Sequence, residues 1–117
     1  MTTELKTRTK KFSLSVIDFA EQIDYSFTKK IVLTQLVRSG TSVGANYRAA
    51  NRARSDKEFI AKIHIVLEEV DEALFWLEII EEKRWADTKL LMKEADELTA
   101  IFVTILKKMN QKATNNK

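Results

Sequence analysis

The chain has 117 residues, 44% of them apolar and 32% charged, with no cysteine, no proline and only two glycines. That length suits one domain able to bury roughly two thirds of its unfolded surface, and the lack of turn-making residues excludes a strand-rich fold in favour of long helices. Missing thiols exclude disulfides and thiolate metal sites, and a net charge of only +3 makes the distribution of charge more telling than its sum.

That distribution is segregated. Positions 29–62 hold eight Lys/Arg against two Asp/Glu, and positions 63–87 hold eight Asp/Glu against two Lys/Arg. No apolar run near the start has signal-peptide length, and none approaches the roughly 20 residues of a membrane span. A cytoplasmic protein without membrane contact is expected.

The first helix is predicted over about 7–25, where Phe12, Val16, Phe19, Ala20 and Ile23 recur at the spacing of one buried stripe. Lys6, Arg8, Lys10 and Lys11 open it, where the helix dipole disfavours cations. Solubility is their ordinary explanation, a partner the alternative.

The second helix is predicted over about 30–53. Its core stripe reads Val32, Leu33, Leu36, Gly40, Val43, Tyr47 and Ala50. Each glycine costs about 1 kcal/mol of helix propensity relative to alanine, so Gly40 and Gly44, four apart, point to close approach of another helix. The opposite side carries Arg38, Arg48 and Arg52 within roughly 80° of one another, separated only by small residues such as Ala45 and Ala49. Small side chains on an outer face suggest that something lies against it.

The third helix is predicted over about 56–84, opened by the capping pattern Ser55-Asp56-Lys57-Glu58. Its core stripe is Phe59, Ile63, Val66, Val70, Ala73, Leu74, Leu77 and Ile80. A second seam of Ile65, Phe75, Trp76 and Ile79, interleaved with Glu68 and Glu72, would face water in a lone bundle. A contiguous row of large apolar groups marks an interface; wrapping by a neighbouring helix is the plainer alternative.

The fourth helix is predicted over about 88–109, with Leu90, Leu91, Ala95, Leu98, Phe102, Ile105, Leu106 and Met109 on its buried side. The polar tail 110–117 is expected to be disordered. Four helices with short connections make an antiparallel up-and-down four-helix bundle in a single domain spanning 1–117.

Catalytic chemistry is thinly represented. His64 is the single histidine, with Glu68 one turn on, and a surface or structural histidine is far commoner than a lone ligand or base. The Glu-x-x-His pairs of a di-iron bundle are missing, and Gly40 and Gly44 fit no phosphate-loop pattern. The expectation is a protein that is not an enzyme and carries neither cofactor nor metal.

The string Gln35-Leu36-Val37-Arg38-Ser39-Gly40-Thr41-Ser42-Val43-Gly44-Ala45-Asn46-Tyr47-Arg48-Ala49-Ala50, followed by Arg52-Ala53-Arg54-Ser55 and Glu58-Phe59, resembles the bacterial four-helix-bundle proteins encoded in intervening sequences of large-subunit ribosomal RNA genes. The resemblance runs from Phe12 to Met109 and is sharpest from Gln35 to Leu77. It implies a ring-shaped homopentamer with a central channel. The chain is also similar to the accessory variability protein of diversity-generating retroelements, which implies nucleic acid and a reverse transcriptase as partners. Gly40, Gly44 and the Tyr47–Ala50 string depart from the commoner form of the family.

Two functions follow as expectations. The first is a homo-oligomeric module that binds RNA or DNA through Arg38, Arg48, Arg52, Arg54, Lys57 and Lys62. The second is a scaffold in which the basic face of helix two, with Ala45 and Ala49, docks on the Ile65, Glu68, Glu72, Phe75, Trp76 and Ile79 face of the next subunit. Such a heterologous contact closes into a ring.

Overall fold

The computed structural model describes residues 2–115 as four α-helices: α1 (Thr2–Glu21), α2 (Phe27–Asn51), α3 (Asp56–Glu82) and α4 (Lys89–Asn115). Short connections fold them back on one another into a rod with extents 54 × 23 × 21 Å. α1 packs on α2, α2 on α3 and α3 on α4, whereas α1 and α4 meet only along a thin seam. The fold class is therefore all-α with four helices, as the periodicity predicts.

Helix boundaries follow local capping. Ser26, extended in backbone, accepts a hydrogen bond from the Lys29 N–H at 3.2 Å, which starts α2 three residues earlier than the apolar stripe suggests. Ser55 does the same for α3, accepting from the Glu58 N–H at 3.1 Å. The Glu58 carboxylate reaches back to the Arg54 N–H instead of the Ser55 N–H, so the capping box is only half reciprocal. α3 ends at Glu82 in a Schellman arrangement: Trp85 N–H donates to the Ile80 carbonyl and Arg84 N–H to that of Glu81. Arg84 sits at the left-handed position of that motif with φ 59°, a place glycine usually takes.

Three further helix ends differ clearly from expectation, the first being that α1 stops at Glu21 instead of about residue 25. α1 begins at Thr2, and α4 continues through Asn115, so residues 110–115 extend the helix where a disordered tail is expected. No proline or glycine interrupts either segment, and Lys112 pairs with Asp56 at 3.1 Å, tying the last turns of α4 to the start of α3. Residues 116 and 117 of that tail lie outside the described residues.

The core runs through the bundle from Phe12, Val16, Leu36, Val43, Tyr47, Ile63, Val70, Leu77, Leu98 and Phe102, all essentially buried. The Tyr47 and Phe102 rings meet with centroids 5.6 Å apart. Four serine and threonine residues are buried as well: Thr9, Ser13, Ser39 and Thr88. Thr9 donates to the Leu5 carbonyl (2.8 Å) and Ser39 to that of Gln35 (2.9 Å), so each is satisfied within its own helix at no expense to a neighbour. Gly40 and Gly44 face α1: a Cβ on Gly40 would come within 2.8 Å of Val16 Cγ1, and one on Gly44 within 2.8 Å of Ser13 Oγ. The close approach inferred from their spacing is thus between α1 and α2.

Leu90 corrects the sequence reading. Expected on the buried side of α4, it is 85% exposed, because α4 leans on α3 and leaves the α1–α4 seam open. A groove of about 1260 Å³ occupies that seam, with Phe12, Phe19, Leu90 and Leu91 along it. Arg8 spans it, donating to both carboxylate oxygens of Glu94 (2.8 and 2.9 Å) and to Glu97 at 2.7 Å.

Candidate nucleic-acid interface and subunit surfaces

The arginines of α2 part company in three dimensions. Arg38 turns toward α3, where its guanidinium donates to Glu69 at 3.2 and 3.4 Å and to Glu72. Glu72 also accepts from the Trp76 indole N–H at 3.2 Å. The Arg38 hydrogen bond, with a smaller contribution from Trp76, holds the Glu72 carboxyl below its ordinary range. Arg38 is thus charge-compensated within its own chain.

Arg48 lies on the other flank, over α1. There Lys6, Thr7, Lys10 and Ser13 of α1 and Thr41, Gly44, Ala45 and Arg48 of α2 line a groove of about 640 Å³. Among the described residues three cations and no carboxylate line it, with small side chains between them. Among the described residues Lys6, Lys10 and Arg48 enter no ion pair. Arg52, the C-cap of α2, and Arg54 in the following connection are exposed at the same end of the rod. Cations at the end of α2 also complement its dipole, which supplies a structural reason for Arg48 and Arg52 beside any ligand. Lys57 is exposed in the first turn of α3, and Lys62 is half-buried one turn further on.

The antiparallel fold converts sequence segregation into a polar axis. The N-terminal turns of α1, the end of α2, the start of α3 and the end of α4 share one end, as the Lys112–Asp56 pair records. Lys6, Lys10, Arg48, Arg52, Arg54 and Lys57 gather there. The acidic half of α3, with Glu68 exposed and Glu69 and Glu72 half-buried, lies further along the rod.

The second apolar seam of α3 is only half open. Phe75 is 50% exposed, whereas Ile65, Trp76 and Ile79 are half-buried. Phe75 meets Trp76 edge-on with centroids 4.9 Å apart. On α2, Ala45 is exposed and Ala49 half-buried. The candidate interface residues are therefore split between two outer faces, and Arg38 already bridges the helices that carry them.

Sequence reasoning omitted Lys6 and Lys10 from the basic site. The signal was present in their one-turn spacing; what the sequence lacked was the register of α1 on α2. His64 is exposed, and among the described residues no group of three or more His, Cys, Asp or Glu is placed to hold a metal ion. No helix of the described residues is long and apolar enough to cross a membrane.

Residues 2–110 match the 23S rRNA-intervening sequence protein family. A solved protein of unknown function from the S23 ribosomal protein family of Bacteroides thetaiotaomicron VPI-5482 is similar in fold, with a TM-score of 0.78 and 26% identity over 87% of this chain and 97% of that one. No curated protein matches.

Proposed function

This chain belongs to the 23S rRNA-intervening sequence protein family, and on that premise we propose that it is a non-catalytic, ring-forming homo-oligomer, a pentamer by family resemblance, that binds nucleic acid through its basic end. The observation that carries the reading is the gathering of Arg48, Arg52, Arg54 and Lys57 with Lys6 and Lys10, exposed and without carboxylate partners among the described residues. Unpaired cations on one surface are the electrostatic footprint of a phosphate partner. In a ring of cyclic symmetry every subunit presents this end to the same side, so weak single contacts add up by avidity.

Self-association draws on two different surfaces, the Phe75 ridge of α3 and the apolar seam between α1 and α4. Unlike patches that meet head to tail close into rings. A reverse transcriptase is a further partner class in this proposal, resting on the resemblance to the accessory variability protein alone. The second reading, a scaffold whose basic α2 face is buried by the next subunit, loses Arg38, which Glu69 and Glu72 of the same chain already hold.

The test joins two measurements on the full chain: subunit mass by light scattering, and binding of labelled RNA and DNA over a salt series. The expected result is a mass several times 13.5 kDa and an affinity that falls steeply with salt. A monomer that binds neither nucleic acid at low salt would sink the proposal.

A further inference from the structure

The basic end divides into an open rim, carrying Arg52 and Arg54, and the groove between α1 and α2. Resting on the nucleic-acid reading above, we propose that this groove is a backbone-reading site for double-stranded nucleic acid, in which Lys6, Lys10 and Arg48 take successive phosphates of one strand and no base is read.

The shape and lining of the groove support phosphate as the ligand. Lys6 and Lys10 stand one helical turn apart on the α1 wall, about 6 Å along its axis at 1.5 Å per residue. Arg48 faces them from the α2 wall, and its planar guanidinium suits bidentate phosphate contact. The floor is held open by small groups. Ser13 Oγ accepts from the Gly44 N–H at 3.2 Å and donates to the Gly40 carbonyl at 2.8 Å, so its polarity is spent inside the helix contact. Among the described residues no carboxylate competes for the three cations from either wall.

The placement of the aromatic side chains decides between duplex and single strand. Proteins that track single strands pair cations with aromatic platforms on which unstacked bases lie. None of the eight residues lining this groove is aromatic. The exposed aromatic groups, Tyr25 (78%), Phe27 (74%) and Phe75 (50%), stand elsewhere: the first two at the α1–α2 connection, the far end of the rod, and the third on the outer face of α3. Tyr47, on the same helix as Arg48, is 1% exposed and locked against Phe102. Cations without a stacking platform match a partner whose bases stay stacked and whose phosphates are already outermost.

The experiment is a set of anisotropy titrations of the full chain with a labelled duplex, the same strand alone and a second duplex of unrelated sequence, each over a salt series. The expected result is duplex affinity about tenfold or more above single-strand affinity, with the two duplexes within about twofold of each other. Lys6→Ala/Lys10→Ala is expected to weaken duplex binding about tenfold and to flatten the salt slope by about 2, while Lys6→Arg/Lys10→Arg retains it. Both lysines are exposed, and circular dichroism checks that the variants fold. Tighter binding to the single strand overturns the proposal. So does a Lys6/Lys10 variant with wild-type affinity and slope beside an Arg52→Ala/Arg54→Ala variant that loses binding, an outcome that leaves the nucleic-acid reading standing. Absence of binding by the wild-type chain to duplex and strand alike removes both.

Discussion

Ser13 on α1 accepts the Gly44 N–H of α2 at 3.2 Å and donates to the carbonyl of Gly40 at 2.8 Å, so a single hydroxyl joins both glycines of the chain to the neighbouring helix. The contact is close because neither glycine carries a Cβ. The register it sets places Lys6 and Lys10 opposite Arg48.

Gly40→Ala tests that register. The added methyl meets three atoms of Val16 at 2.8–3.0 Å, and Val16 is fully buried with a stiff, β-branched side chain. Overpacking costs about 1–3 kcal/mol, partly offset by about 1 kcal/mol of helix propensity gained on leaving glycine. Net destabilisation is expected by urea melts. In a double-mutant cycle, Val16→Ala should cost less beside Gly40→Ala than alone, with coupling of about 1 kcal/mol. Additive effects would mean that the two positions do not touch.

Arg84→Gly is expected to stabilise the protein. Arg84 holds φ 59° at the left-handed end of α3, a conformation that costs an L-residue about 1 kcal/mol and glycine little. Its side chain is exposed and enters no ion pair among the described residues, so little is lost with it. A midpoint of thermal unfolding that falls in the variant would show that Arg84 makes a contribution larger than the strain it carries.

The helices and most of the core were legible in the sequence because apolar residues at three-and-four spacing leave one solution for a chain without proline. Phe12, Val16, Leu36, Val43, Ile63, Val70, Leu98 and Phe102 are all buried where the periodicity puts them. Thr9, Ser13 and Ser39 were not legible as interior, since their hydroxyls bond backbone carbonyls, a property that depends on local geometry and not on hydropathy. Leu90 failed for a different reason: periodicity assigns a face to a helix, but only how closely α4 meets α1 decides whether that face is covered. The basic site was half legible. A helical wheel groups Arg38, Arg48 and Arg52, but the neighbours on either flank, acidic α3 for Arg38 and basic α1 for Arg48, split them.

That split gives a direct contrast. Arg38→Ala removes a charge already offset by Glu69 and Glu72, whereas Arg48→Ala removes one of three uncompensated cations. Arg48→Ala should weaken nucleic-acid binding several-fold and reduce the salt slope by about 1, with Arg38→Ala near wild type. Equal losses would mean that the Arg38 ion pairs open to release the guanidinium to a ligand.

The same ion pairs predict a pH dependence. Arg38 first, and Trp76 second, hold the folded-state Glu72 carboxyl below its ordinary 4.5. A depressed carboxyl contributes stability above its unfolded value, and that contribution is lost as pH falls through the folded value. The expected NMR titration of the Glu72 side chain has its midpoint below 4.5 in the wild type and higher in Arg38→Gln. An unmoved midpoint would leave the Arg38 contact without thermodynamic effect. Because the pair is solvent-facing, salt should narrow the difference.

Phe75 tests assembly. Its ring is half exposed, rests edge-on against Trp76 and contributes little to the closed core, so Phe75→Glu should fold normally. If α3 meets a neighbouring subunit, the variant places a carboxylate inside an apolar contact already flanked by Glu68 and Glu72, where burial without a partner is strongly unfavourable. The expected mass by light scattering then falls from an oligomer to 13.5 kDa, with the circular dichroism spectrum unchanged. An intact oligomer would remove the Phe75 ridge from the head-to-tail contact and leave the α1–α4 seam to be tested. There Leu90→Glu is the matching variant, because Leu90 is 85% exposed and its loss leaves the interior packing of a single subunit undisturbed.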